Sequence, residues 1–232
     1  MPKFLAEFFP NVANYWDIFL TALTATYQMF FIAGLITLLI GGAFGIALIV
    51  TKTDGIKPNR SIHFILEVVT NVFRAVPFII LLIFLIPLTR SIAGTSIGVK
   101  GAIVPLVFGA VPFYTRQVET ALADVNPGKI EAARSMGSST IGIVFRVYLH
   151  EALPDLIRVT TITAISLIGL TTSAGAVGAG GIGSFAINYG QNLHYQDVVN
   201  LCVILLLIIV SLIQLLGNTL SRATVNKELF HK

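Results

Sequence analysis

Cysteine is almost missing from this chain, and charge is scarce. Cys202 is the one cysteine in 232 residues, which excludes an intrachain disulfide and a thiolate metal cluster. The four histidines, His63, His150, His194 and His231, show no H-E-x-x-H or paired-ligand spacing, so metal chemistry has no support. A G-x-x-x-x-G-K-[ST] run is also lacking, and without it the chain has no P-loop for a nucleotide. The string Gly178, Gly180 and Gly183, with Asp197 further on, imitates a dinucleotide fingerprint. It follows an apolar run rather than a short strand of a βαβ unit, so it reads as a tightly folded outer loop. No cofactor is expected.

Only 11% of residues are charged, while 55% are hydrophobic, and mean hydropathy is +0.87. A soluble core cannot hide that much apolar surface, so the bilayer is the natural solvent. A formal net charge of +4 then reports membrane orientation, and no nucleic-acid partner is expected. No short apolar stretch ending in a small-residue cleavage site follows Lys3, so the first span is expected to serve as its own permanent targeting signal.

Five apolar runs are long enough to cross about 30 Å of hydrocarbon as helices. They lie near Thr26 to Val50, Ile62 to Leu88, Ala102 to Leu122, Leu156 to Ser173 and Val198 to Leu216. The expected fold is therefore all-α and polytopic, one domain over 1–232. An amphipathic stretch, Phe4 to Leu23, precedes the first run, with Tyr15 and Trp16 placed for an interfacial belt; residues 1–25 are read as extracytoplasmic. One set of loops carries Lys52, Lys57, Arg60, Arg116, Lys129, Arg134, Arg146, Arg158, Arg222, Lys227 and Lys232, whereas the other has only Lys3, Arg90 and Lys100. The positive-inside rule places the first set, the loop 123–155 and the carboxyl terminus in the cytoplasm, with the amino terminus outside. Pro105, Gly109 and Pro112 in the third run, and Thr160, Thr161, Thr163, Ser166, Thr171 and Thr172 in the fourth, mark both as interior helices.

Two polar features stand out against this background. Glu67, Asn71 and Arg74 recur at steps of four and three, forming one stripe on a helix. An arginine at a helix centre costs about 2.5 to 3.5 kcal/mol on insertion scales, so the stripe must meet a wet cavity, a partner helix or the cytoplasmic interface. Two readings stay open: an intrahelical Glu67 to Arg74 ion pair near the inner interface, or a gate.

The second feature is the hairpin within 123–155. Asn126 then Pro127 is a cap followed by a first-turn residue, Gly137 suits a left-handed stop, and Ser138 or Ser139 can cap a second helix. Ile141, Val144, Phe145, Tyr148 and Leu149 are expected to form the packing face of that second helix. In the first, Ala132 and Ala133 leave the surface thin while Glu131, Arg134 and Ser135 are polar, a shape suited to a partner's groove.

Glu131, Ala132 and Ala133, then Gly137, then Leu153 and Pro154 resemble the EAA motif of ATP-binding-cassette importer permeases. The resemblance implies a coupling helix that docks on an ATPase subunit through Glu131, Ala132, Ala133, Arg134, Met136 and Gly137. One departure is His150, which stands where many members carry the first of two prolines. The segments Asn71 to Ile80, Gly94 to Gly98, Ala102 to Pro105 and Gly175 to Gly183 are similar to the methionine-uptake permeases. With the hairpin, the resemblance extends over most of the chain from Asn71 to Gly217. This resemblance implies the type I importer fold in a bacterial inner membrane, as a homodimer with two copies of a separate ATPase. It also implies an extracytoplasmic substrate-binding protein and a methionine-like amino acid as cargo. The chain itself is then not an enzyme. The alternative, an ion-coupled secondary transporter, would want intramembrane carboxylates or inverted repeats. Glu67 is the only acid well inside an expected span, and five spans do not divide into inverted halves.

Overall fold

The computed structural model describes residues 7–230, with side chains as far as Val225. Lys3, Phe4, His231 and Lys232 lie outside the described residues, as does the side chain of Lys227. Every regular element is helical among the described residues. In chain order they are α1 (Pro10–Asn14), α2 (Trp16–Thr51), α3 (Arg60–Ala75), α4 (Phe78–Phe84), α5 (Ile86–Ala93) and α6 (Gly98–Ala123). Then come α7 (Pro127–Ser135), α8 (Thr140–Ile143), α9 (Leu149–Glu151), α10 (Leu153–Gly175), α11 (Gly181–Phe185) and α12 (Gln196–Phe230). Wider π turns occupy Val144–Tyr148 and Ala186–Gln191.

Helices suit this sequence because hydrocarbon offers no partner to a backbone amide, and only intra-segment bonding satisfies them all. Four helices, α2, α6, α10 and α12, are long and apolar enough to cross a membrane. The expected second span is not one rod. It breaks after Ala75 and the chain turns by 106° into α4, so α3 and α4 make a fifth crossing only as a broken pair. Pro77 is the cause: it lacks the amide that would continue the ladder, and its ring drives Val76 out of the helical region. Pro105 and Pro112, by contrast, are absorbed within the 26 residues of α6. Half of the apolar window of α6 is buried within this chain, as an interior helix requires, whereas only 22% of that of α10 is.

Contacts group the chain into two compact units. The first combines Met1–Leu35, Val76–Gly109 and Ala164–Leu212; the second combines Ile36–Ala75, Ala110–Thr163 and Ile213–Lys232. The first unit has a core of Val12, Phe19, Ala22, Ile182, Phe185 and Val198. Its rings are layered: Tyr15 on Tyr189 at 4.7 Å, Tyr189 on Phe185 at 5.2 Å and Phe185 on Phe19 at 5.5 Å between centroids. The stretch before the first apolar run therefore differs from an isolated surface helix. Trp16 to Leu23 continues directly into the first span as α2, and Asp197 fixes Asn11 through two hydrogen bonds, 3.0 Å from the backbone amide and 2.9 Å from the side chain. The aromatic residues found protein partners, each such pair adding about 0.5 to 1.5 kcal/mol beyond burial.

The glycine string is a close-packed turn, as its composition implied. A Cβ on Gly183 would stand 2.0 Å from the carbonyl oxygen of Thr172, so no other residue fits without moving backbone. Thr26 Oγ1 accepts the Ile182 amide at 2.8 Å, and the Gly98 amide donates to the Gly178 carbonyl at 3.0 Å.

In the second unit Ile49, Tyr114, Val118, Leu122, Ile143 and Val159 form the centre of an apolar cluster. Tyr114 and Thr160 share a hydrogen bond at 2.8 Å, and Ser221 donates to the Pro154 carbonyl at 3.1 Å. This unit carries both polar features singled out above.

Candidate functional site

The hairpin begins with a cap. Asn126 Oδ1 accepts the Gly128 amide at 2.8 Å, and Pro127 takes the first helical position, where a missing donor costs nothing. The helix closes with a paired stop: the Ser138 amide reaches the Ala133 carbonyl at 3.1 Å and the Gly137 amide reaches the Arg134 carbonyl at 2.9 Å. That Schellman geometry requires a left-handed residue, and Gly137 supplies it with φ +75°. Ser139, rather than Ser138, caps the next helix, its Oγ accepting the Gly142 amide at 3.1 Å. Lys129 and Glu151 form an ion pair across the hairpin.

The residues assigned to the coupling surface divide into two groups. Ala133 is buried in the unit's own core, and the Arg134 guanidinium turns back to donate to the Ile56 carbonyl at 2.9 Å. These two hold the helix in place. Glu131, Ala132, Met136 and Gly137 are exposed. The sequence implied a thin surface from both alanines; in the structure Ala133 faces inward and only Ala132 faces out.

The second helix also departs in part from its expected face. Ile143, Val144, Tyr148 and Ala152 are buried, whereas Ile141 is 71% and Phe145 64% exposed. Val144, Tyr148 and Leu149 of the expected face do pack inward, while the wider π turn over Val144–Tyr148 leaves Phe145 off that face. Met136, Ile141 and Phe145 are all displayed, three large apolar side chains on a polar hairpin. Such display is the ordinary mark of a partner surface. Burial raises the Tyr148 phenol above its ordinary value, with Asp54 acting in the same direction and Arg134 opposing.

The polar stripe of α3 is engaged by a residue that its spacing could not reveal. Arg116 of α6 donates through Nη1 to Glu119 Oε2 at 2.6 Å and through Nη2 to Asn71 Oδ1 at 2.9 Å. The same Nη2 stands 4.0 Å from Glu67 Oε1. His63 closes the other side, with Nε2 3.8 Å from Glu67 Oε2 and Nδ1 3.1 Å from the Leu48 carbonyl. Arg74 stays apart: it is exposed, in the last turn of α3, and makes no ion pair among the described residues. The intrahelical Glu67 to Arg74 pair is thus not formed, since Glu67 faces Arg116 and His63 while the cation sits at the helix's negative end. The available signal was an arginine inside an expected apolar run.

Residues 43–227 match the family described as binding-protein-dependent transport system inner membrane component. The chain belongs to that family. It is accordingly a multi-pass inner-membrane permease component, and the ATPase of such systems is a separate subunit. The chain is 40% identical over 206 residues to the probable D-methionine transport system permease protein MetI of Vibrio cholerae, covering 89% of this chain and 92% of that one. To the methionine import system permease protein MetP of Bacillus subtilis it is 41% identical over 174 residues, 75% of this chain and 78% of that one. A solved inward-facing structure of the MetNI methionine ABC transporter contains a chain that superposes with a TM-score of 0.88 at 42% identity, covering 91% of this chain and 98% of that one. The hairpin, the broken second span and Arg116 all lie inside the family match.

Proposed function

We propose that this permease carries methionine or a close relative inward across the membrane, driven by ATP that a separate subunit hydrolyses. The observation that carries the reading is the hairpin: a helix capped at both ends, anchored by Ala133 and Arg134, showing Glu131, Ala132, Met136, Ile141 and Phe145 outward. The named relatives are methionine permeases along most of their length, which supports the cargo.

In this reading two copies of the chain associate, and each hairpin sits in a groove of one of two ATPase subunits on the cytoplasmic side. The amino terminus faces outward, where a substrate-binding protein delivers the amino acid; the excess of lysine and arginine on the hairpin side supports this orientation. Closure of the ATPase pair moves both hairpins as rigid elements, and the spans attached to them switch access from one side to the other. Each hairpin transmits force without chemistry of its own.

The test is uptake of labelled methionine into vesicles rebuilt with permease and ATPase, with ATP inside and binding protein outside. Glu131→Lys and Gly137→Asp leave the permease in the membrane but abolish ATPase binding or ATP-dependent uptake. Normal uptake by both variants would falsify the docking assignment, and transport that ignores ATP but collapses with a proton ionophore points to the ion-coupled alternative.

A further inference from the structure

Arg116 holds two different kinds of contact with one guanidinium. One arm is fixed on its own helix, where Glu119 follows at i+3, is 15% exposed and binds Nη1 at 2.6 Å. That charge-assisted bond orients the planar fork and aims the second arm across to α3. There Nη2 meets a neutral amide, Asn71 Oδ1, at 2.9 Å, with a carboxylate oxygen of Glu67 at 4.0 Å. Asn71 and Glu67 are four residues apart, so the two acceptors lie one helical turn, about 5.4 Å, apart along α3. The weaker partner is in hand and the stronger one is in reach.

Both ends of this contact trace back to the hairpin. α6, which carries Arg116, runs on to Ala123 and reaches the hairpin cap at Asn126 through buried Val125. The loop that leads into α3 is gripped by Arg134 at the Ile56 carbonyl, 2.9 Å away. A displacement of the hairpin therefore acts on α6 and on the start of α3 together. Arg116 sits where any sliding between them must be accommodated.

We propose that Arg116 is a positioning residue for transport: a latch between α6 and α3 whose guanidinium exchanges Asn71 for Glu67 as α3 shifts by one turn during the cycle. One-turn exchanges between packed helices are a known form of two-state switching, because packed surfaces accept discrete registers and not intermediate ones. The inference rests on the ATP-driven reading above. It goes further in naming the contact that breaks and the contact that replaces it.

The experiment measures methionine imported per ATP hydrolysed in vesicles holding the full complex, for wild type, Arg116→Gln, Arg116→Lys and Asn71→Asp. Arg116→Gln is expected to retain ATPase binding and hydrolysis while import per ATP falls about tenfold, the scale of one lost charged hydrogen bond. Arg116→Lys, which keeps the charge and loses the fork, recovers part of that loss. Asn71→Asp is the decisive variant, since it strengthens the present register: the complex is at least as resistant to heat as wild type, yet imports less per ATP. A merely structural contact predicts the opposite, unimpaired import from a better-held helix. Import per ATP at the wild-type value in Asn71→Asp overturns the latch, as does an Arg116→Gln complex that transports normally. A wild-type permease that binds no ATPase overturns the reading beneath it, a result distinct from either.

Discussion

The two units of this permease are held together by different means. In the second, Lys52 with Asp54, Lys129 with Glu151, Arg158 with Asp155, Arg116 with Glu119 and Glu67, and His63 with Glu67 account for every ion pair among the described residues. The first relies on layered aromatic rings and on glycine turns, with Gly94, Gly98, Gly178, Gly180 and Gly181 at positive φ against Gly137 alone in the second, although Gly45 and Gly55 bring backbone close to backbone there as well. The difference concerns reversibility. A guanidinium can release one acceptor and take another, whereas a glycine lying 2.0 Å, on Cβ projection, from a carbonyl allows one arrangement only. The hairpin lies in the unit whose contacts can be exchanged.

The comparison breaks most readily at Gly183. Replacing it with alanine drives a methyl group into the Thr172 carbonyl, and overpacking against backbone that cannot withdraw is expected to cost about 3 kcal/mol. The detergent-solubilised Gly183→Ala permease should melt well below wild type or fail to accumulate; an unchanged melting temperature contradicts the rigid-unit account. A smaller effect is expected in the second unit. Asn126→Ala removes the oxygen that accepts the Gly128 amide, a loss of about 1 kcal/mol. Asn126→Asp should restore most of it. Hydrogen exchange across the hairpin is the measure, with faster exchange confined to Pro127–Ser135 in the alanine variant. A loss spread over both units argues that they are not separately held.

These contacts differ in how far they could be read from residues alone. The hairpin's ends were legible because caps are local: Asn126 with Pro127, Gly137 and Ser139 each act within three or four residues. The tight glycine turn was legible for the same reason. Hydropathy gave all five apolar runs but not the form of the second, which Pro77 bends by 106° into a broken pair. The face of the second hairpin helix was legible in part: Val144, Tyr148 and Leu149 pack inward as their spacing implies, whereas Ile141 and Phe145 are exposed, and no apolar spacing announces the π turn. The stripe of Glu67, Asn71 and Arg74 was placed on one helix correctly, yet its partner comes from 45 residues beyond Asn71. Long-range pairing of this kind leaves only an indirect trace in the sequence, here an arginine within an apolar run.

The finest distinction available lies in Tyr148, because it joins the hairpin's core to its charged rim. Burial raises its phenol above the ordinary value and Asp54 adds to the rise, while Arg134 opposes it. The folded chain thus holds this proton more firmly than the unfolded chain does. The stabilisation is complete below the unfolded value of about 10 and disappears as pH rises through the higher folded value. Tyr148→Phe keeps the ring and removes the titration. In hydrogen exchange followed from neutral pH upward, the wild-type hairpin should lose protection at alkaline pH while the phenylalanine variant loses less, and the first unit should show no difference between the two proteins. Parallel losses in both would remove Tyr148 from the account, and a difference appearing in the first unit would show that the exchangeable contacts and the fixed ones share a single transition.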